Sequence, residues 1–354
     1  MFEWVLSDDK FNSRILAATV MLITICLALA PIFFPGTKSM NVAARICIFI
    51  VLVASFDLLL GYTGIVSFAH NLFFGIGAYS VALSIKYFGP TWGVIGLGTL
   101  VSLIITIIIA LGIAFLSLRV QALFFAMITL AVGSFFMILA SKTYEITGGE
   151  DGLNIGVPEL LSPAYRIGDF ITGRTITYYF IFVCSVILFL MMLRLVNSSF
   201  GNVLKAIREN EFRAEAVGFR VLFFRVISIC VGSGIASLAG VLYILWLRYT
   251  GPETTLSFHV ATDILLMVVI GGMGSMYGAI LGATILVIAQ YYLQSLMEVA
   301  SSAMEGIPIL PILIHEERWL LWLGILFILV IYFFPSGIVG KLRALRASSD
   351  STNA

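Results

Sequence analysis

Charge is scarce in this chain. Asp, Glu, Lys and Arg together make up 11% of its 354 residues, against roughly 25% in soluble domains. Apolar residues reach 60%, so too little polar surface exists to meet water on every side, and a soluble globular fold is excluded. The chain reads as a polytopic integral membrane protein. Neither sign of charge prevails: the net charge is +1 with no long basic run, which argues against nucleic acid as a partner. Cysteine is equally sparse. Cys26, Cys47, Cys184 and Cys230 all fall inside apolar runs without a CxxC pair, so neither a disulfide frame nor a zinc site is expected. The histidines, His70, His259 and His315, are too scattered for a metal cluster, and no bound metal is expected. HExxH, GxSxG and an intramembrane aspartate pair are all missing, which leaves an embedded enzyme without its usual catalytic groups. The phosphate loop GxxxxGK[ST] is missing too. Energy for uphill transport would have to come from another chain or from an ion gradient.

What the chain does have is apolar length. A crossing helix needs about 20 apolar residues, and such runs lie near 14–34, 42–60, 65–85, 92–117, 120–141, 177–195, 222–246, 260–273, 276–297 and 318–335. The expectation is an all-α polytopic membrane protein of about ten transmembrane helices, with interrupted glycine-rich helices among them. Two of the ten are open to a broken or re-entrant form. The run 65–85 is studded with polar residues and glycine, and 260–273 is short unless it borrows from the glycine run that follows. The first run ends in Ala28, Leu29 and Ala30, a triplet like a signal-peptidase site, but Pro31 follows at once and acids precede it, so an uncleaved first helix is expected. Lysine and arginine favour cytoplasmic loops. Lys205, Arg208, Arg213 and Arg220 after the sixth run, and Lys341, Arg343 and Arg346 in the tail, put both regions inside. The loop 142–176 carries five acids against three bases and falls outside. The layout is a cytoplasmic N-terminus at 1–13, one transmembrane domain over 14–340 with an outer loop at 142–176 and a cytoplasmic loop at 197–221, and a cytoplasmic tail at 341–354.

One polar island interrupts the pattern, GNVLKAIRENEFRAEAVG at 201–218. Val203, Ile207, Ala214 and Val217 recur at helical spacing, while Lys205, Arg208, Glu209, Arg213 and Glu215 fill much of the remaining circumference, predicting one short amphipathic helix. Flanked by spanning runs, it must lie in water or at the bilayer surface. Its apolar stripe calls for a partner protein, or else for packing on the chain's own membrane domain or on headgroups. Gly218 suits the left-handed turn that ends many helices.

Helices in a bilayer associate through small residues. Gly274, Gly278 and Gly282 form one stripe at four-residue spacing, and Gly232, Ala236 and Gly240 form another. The stretch GYTGIVSFAHNLFFGIGAY at 61–79 differs because it also carries Ser67, His70 and Asn71 into the membrane, where polar groups face a cavity or a partner helix. Two interrupted segments, 61–79 and 271–282, occupy the two halves of the chain, and broken helices in such positions often frame a transporter's substrate. Gly61, Gly64, Ser67, His70, Asn71 and Gly75, with Gly271, Gly272 and Gly274, are therefore candidates for the substrate pathway. His70 would line the route and sense protons, or bond a neighbouring carbonyl; Asn71 and Ser67 would donate to a substrate carboxylate, or tie helices together. Asp57 and Asp263 read as interface anchors or caps, with proton carriage as the other reading.

Five blocks then point to a family. GYTGIVSFAHNLFFGIGAYSVAL from residue 61, TGGEDGLNIG at 147–156, AIRENEFRAEAVGF at 206–219, GGMGSMYGAILGA at 271–283 and FPSGIVG near the end occur in this order, and together they resemble the LivM-type permease subunits of branched-chain amino-acid ABC importers. The likeness spans nearly the whole chain. It departs in one place: where the family pattern commonly reads SLGHAAFFGIGAY, this chain reads SFAHNLFFGIGAY, so Phe68, Ala69 and Asn71 differ in the part nearest the substrate.

The resemblance implies an ABC importer permease fold in the bacterial inner membrane, both termini cytoplasmic, and a division of labour. This chain would be half of a pore completed by a homologous second permease subunit. A periplasmic substrate-binding protein would feed it, and two cytoplasmic ATPase subunits, holding ATP and Mg, would drive it; no cofactor is expected in this chain. Residues 206–219 match the segment that enters a groove on the ATPase, giving Ala206, Arg208, Glu209, Arg213, Glu215 and Gly218 as coupling residues on a lever of roughly 20 Å. Gly149, Glu150 and Asp151 in the periplasmic loop would dock the binding protein, and membrane lipid is the remaining partner. Leucine, isoleucine or valine is the substrate the resemblance implies, with urea, short amides and other amino acids as alternatives. A stand-alone secondary transporter using Asp57, His70 and Asp263 in ion coupling is the rival mechanism.

Overall fold

The computed structural model describes residues 14–33, 36–117, 120, 122–163, 165–167, 171–303, 318–334 and 337–341. The expected N-terminal segment 1–13, Asp169, His315, Pro335, Ser336 and the tail beyond Lys341, with Arg343 and Arg346, lie outside the described residues.

Only a helix satisfies its own backbone in hydrocarbon, so apolar runs of spanning length become helices. In chain order these are α1 (Arg14–Phe33), α2 (Thr37–Asp57, continued by a π-helical turn Leu58–Tyr62), α3 (His70–Phe88), α4 (Trp92–Ser117) and α5 (Ala122–Lys142). A short α6 (Tyr144–Thr147) opens the following loop, and α7 is Gly173–Val196. The polar island holds α8 (Ser199–Glu209) and α9 (Glu211–Ala216). Then come α10 (Val221–Leu247), α11 (Pro252–Thr255), α12 (Phe258–Gly271), α13 (Met276–Ala303) and α14 (Trp319–Phe333).

All ten expected runs contain a helix, and among the described residues nine stretches are long and apolar enough to cross a membrane. The exception is α3, one of the two segments open to a broken form. It begins at His70 rather than at 65, because Gly64 turns the chain with φ 73° and residues 65–69 run outside any helix. The second doubtful segment spans, though not by the expected route. Its extra length comes from upstream, where α11 and α12 together give the 20-residue apolar stretch Pro252–Gly271. Pro252 sits in the first turn, where its missing N–H costs nothing. The glycines downstream end the helix instead of extending it.

The core is built around α2. Its spanning window is 94% buried inside the chain, against 20% to 28% for α1, α4, α5, α7 and α14, so those five face outward. Around α2 pack α7, α10, α12 and α13, and α3 is enclosed between α10 and α4. The α3–α10 crossing brings backbone against backbone: a Cβ at Gly77 would overlap the Ser237 carbonyl, and one at Gly240 the Phe74 carbonyl. The stripe that ends in Gly240 is thus a packing seam. The other stripe is one too, since Gly278 meets Gly271 and Gly272, and Gly282 meets the Met267 carbonyl.

The two ends of the bundle differ. At one end β1 (Leu153–Asn154) pairs antiparallel with β4 (Tyr249–Thr250), and β2 (Arg166–Ile167) pairs with β3 (Ile171–Thr172). Asn41, in the first turns of α2, accepts there from Arg174 at 2.9 Å and from Trp246 at 3.1 Å, tying the start of α7 to the end of α10. The opposite end carries α8 and α9.

The α3–α10 seam has a measurable consequence. Gly240→Ala forces an overlap worth about 1–3 kcal/mol and lowers the melting temperature in detergent. Gly96→Ala, whose new methyl meets nothing within 4 Å, keeps stability or raises it by up to ~1 kcal/mol. Unchanged melting of Gly240→Ala would contradict the crossing.

Candidate functional site

The polar island folds as two helices, not one. Asn210 leaves helical geometry with φ −161° and ψ 100°, and its side-chain oxygen accepts from the Arg213 amide at 3.0 Å, so it caps α9. This restart overturns the single straight lever of 206–219 and rearranges its apolar stripe. Ile207 and Ala214 are buried against Val221, whereas Val217 is 77% exposed. Phe212 is more exposed still, at 86%. Glu211 holds Arg225 through two contacts of 2.8 Å, fastening α9 to the start of α10. The end of α9 closes with Phe219 N–H on Ala214 O at 3.1 Å and Gly218 N–H on Glu215 O at 2.9 Å. This pair of hydrogen bonds requires a left-handed residue at the helix end, and Gly218 supplies it with φ 100°. Ala206, Glu209, Asn210, Arg213 and Val217 line a groove of about 390 Å³ on this surface, with Ala214 and Phe219; Glu215 is exposed beside it.

From α8 the contacts run inward. The Arg208 guanidinium donates to the Gly61 carbonyl at the end of α2, and the Lys205 ammonium lies 5.6 Å over the Tyr62 ring. Asp57, buried on α2, accepts from the Gly274 N–H at 2.9 Å. Gly61 and Gly274 therefore meet directly. A Cβ at Gly61 would overlap both the Asp57 carboxylate and the Gly274 nitrogen, and a Cβ at Gly274 would lie 2.8 Å from Arg208 Nη1. Gly274 also turns the chain with φ 79°, which a side chain would resist. The candidate glycines Gly61, Gly64, Gly271, Gly272 and Gly274 thus gather at the α8 end of the bundle, where the two interrupted segments touch.

The polar candidates of the third segment lie deeper. His70 is buried with Nε2 2.8 Å from Ser55 Oγ. Asn71, also buried, donates to the carbonyls of Leu256 at 2.6 Å and Ser257 at 3.0 Å. Ser67 is buried and Gly75 packs against Leu256. Together these residues join α2, α3 and the break between α11 and α12. Asp263 is not a cap: Ser257 holds that position on α12, and Asp263 accepts instead from Gln290 Nε2 at 3.0 Å, with His259 Nδ1 at 3.6 Å. Sequence reading passed over Arg45, whose only signal is a lone arginine inside an apolar run.

At the other end of the bundle Gly149 is buried with φ 62°, while Glu150 and Asp151 are exposed. Among the described residues no group of three His, Cys, Asp or Glu side chains could hold a metal ion.

Removing the Asp57 carboxylate leaves the half-buried Gly274 amide without an acceptor. Asp57→Ala therefore costs about 1–3 kcal/mol locally, read as roughly ten- to hundredfold faster hydrogen exchange at Gly274. Asp57→Asn keeps an acceptor oxygen and loses less. Equal exchange in both variants and the wild type would remove Asp57 from this role.

The family model described as branched-chain amino acid transport system, permease component, matches residues 39–331. The chain is 27% identical over 303 residues to the high-affinity branched-chain amino acid transport system permease protein LivM of Salmonella typhimurium, covering 80% of this chain and 70% of that one. It is 27% identical over 327 residues to the probable branched-chain amino acid transport permease protein LivM of Methanocaldococcus jannaschii, covering 82% and 90%. No solved structure matches it. With most of its length matched and its helices arranged as a multi-pass membrane bundle, the chain belongs to the family of branched-chain amino acid transport system permease components.

Proposed function

We propose that this chain is the membrane permease subunit of an ATP-driven importer for branched-chain amino acids. Its relatives are named for that transport, and the chain carries no phosphate loop of its own. ATP and Mg then belong to two ATPase subunits that dock on α8 and α9 from the cytoplasm. The observation that carries this reading is the pairing of an exposed surface with an internal link. Phe212 and Val217 present apolar area outside the bundle, and Arg208 on the same island reaches the end of α2. A surface that calls for a partner is thus joined to the meeting point of two interrupted helices.

In this arrangement the loop with Glu150 and Asp151 receives a periplasmic binding protein, a homologous permease completes the pore, and both termini lie on the cytoplasmic side of the bacterial inner membrane. The basic residues around α8 and α9 support that orientation. The bonds of Asp57 to Gly274 and of His70 to Ser55 favour structural roles for both over ion coupling. Urea, short amides or other amino acids are the alternative cargo.

Uptake in proteoliposomes holding all subunits should fall with ATP depletion and ignore an ionophore. Phe212→Ala should weaken ATPase attachment by about 2 kcal/mol, or roughly thirtyfold, and Gly218→Ala should reduce substrate-stimulated hydrolysis while the protein still inserts. Full stimulation after residues 206–219 are scrambled would overturn the assignment.

A further inference from the structure

A polar cavity of about 500 Å³ opens between α2, α10, α11–α12 and α13, within the ~300–1,000 Å³ typical of small-molecule sites. Arg45, Asp263 and Gln290 each belong to a stretch of spanning length. Arg45 lies eight residues into α2, about 12 Å from its start, and Gln290 about 21 Å along α13. Charges of both signs line it, Arg45 on one helix and Asp263 and Glu253 on others, yet no contact within 4 Å joins Arg45 to a carboxylate among the described residues.

That separation needs a reason, because unpaired charge on spanning helices is costly. Arg45 is held in place by neutral neighbours. Its guanidinium lies 5.1 Å over Phe49 and 5.5 Å over Tyr291, and donates to the Tyr291 hydroxyl at 3.3 Å. Its buried Nε has no partner among the described residues. Among the described residues Asp263 accepts from neutral Gln290, with the largely exposed His259 at 3.6 Å. Ser257, 4% exposed, lines the same cavity with a hydroxyl that has no partner among the described residues. A positive group, a negative group and a free hydroxyl thus converge on one space without spending themselves on each other. Tyr243 and Val260 add apolar wall. Asn71 stands behind this wall, since its amide holds the Ser257 carbonyl.

We propose that this cavity binds a free α-amino acid, with Arg45 and Ser257 taking its carboxylate and Asp263, with Glu253, taking its ammonium. A zwitterion supplies the missing partner to both charges at once and brings no net charge into the membrane. The choice of a branched-chain side chain rests on the importer reading; the charge pattern does not.

The test uses the full-length chain in phosphatidylglycerol nanodiscs and radiolabelled L-leucine, with leucine amide and 4-methylpentanoate as competitors lacking one charge each. Arg45→Met and Asp263→Asn should each weaken leucine binding about ten- to a hundredfold. Arg45→Met should leave leucine amide affinity unchanged, and Asp263→Asn should leave 4-methylpentanoate affinity unchanged. Ser257→Ala, a small change unlike the removal of a charge, should weaken leucine and 4-methylpentanoate alike but not the amide, and guards against a variant that merely fails to fold. Equal losses for all three ligands, or wild-type affinity in every variant, would overturn the site. So would variants that release co-purified phosphatidylethanolamine, whose headgroup also pairs an ammonium with an anion, while leucine affinity stays fixed. A wild-type chain that supports ATP-driven leucine uptake but binds no leucine here overturns the site and leaves the importer reading standing. A chain that binds leucine here yet transports it without an ATPase does the reverse.

Discussion

A helix that breaks leaves backbone N–H and C=O groups without their intrahelical partners, and something in the protein has to bond them. Asp57 and Arg208 do this together for two breaks. The Asp57 carboxylate takes the Gly274 amide after α12, and the Arg208 guanidinium takes the Gly61 carbonyl at the π-turn of α2. Bonds of this kind, with one charged partner, are worth about 1.5–3 kcal/mol each. Their geometry also dictates residue type. The two breaks can share one acceptor and one donor only if their backbones touch, which is why glycine stands at both 61 and 274.

Enclosure explains how α3 can be poorer in apolar residues than a spanning helix usually is. With α10 and α4 packed along it, Gly77 meets the Ser237 carbonyl and Gly75 the Leu256 side chain, and polar groups at and just before its start meet partners. Asn71 reaches Leu256 and Ser257, and Phe68 N–H finds the Thr129 hydroxyl at 3.0 Å. Lipid meets instead the outward helices, where Leu, Ile and Phe stay exposed. Hydropathy measures contact with lipid, so it ranks the ring above the centre.

The helices and both glycine seams were legible in the sequence because each follows from composition over a local window. What was hidden depended on distant neighbours or on one residue's competing preference. Continuing periodicity across 201–218 masked the break at Asn210, although an asparagine followed by Glu211 is an N-cap signal. The upstream extension of α12 was hidden by Pro252, Thr254 and Thr255, which read as loop in a hydropathy sum. His70 and Asn71 were found as polar residues, but their partners lie 15 and about 185 positions away, beyond any spacing rule. Arg45 was overlooked because one arginine barely alters the apolar average of its run.

The helices that meet at Asp57 and Arg208 are also those that carry the polar cavity. Asp57 and Arg45 share α2, twelve residues and about 18 Å apart; Gly271 and Asp263 share α12, about 12 Å apart; and α13, leaving the Gly274 turn, reaches Gln290 after about 21 Å. Helices of this length move as rigid bodies more readily than they bend. Arg208 joins α8 to the end of α2, and the contact of Gly61 with Gly274 joins that end to the turn between α12 and α13. The separation of Arg45 from Asp263 is set by the same three helices. Three of the cavity's walls, α2, α12 and α13, thus run from one contact point, while α10 adds the fourth through Tyr243.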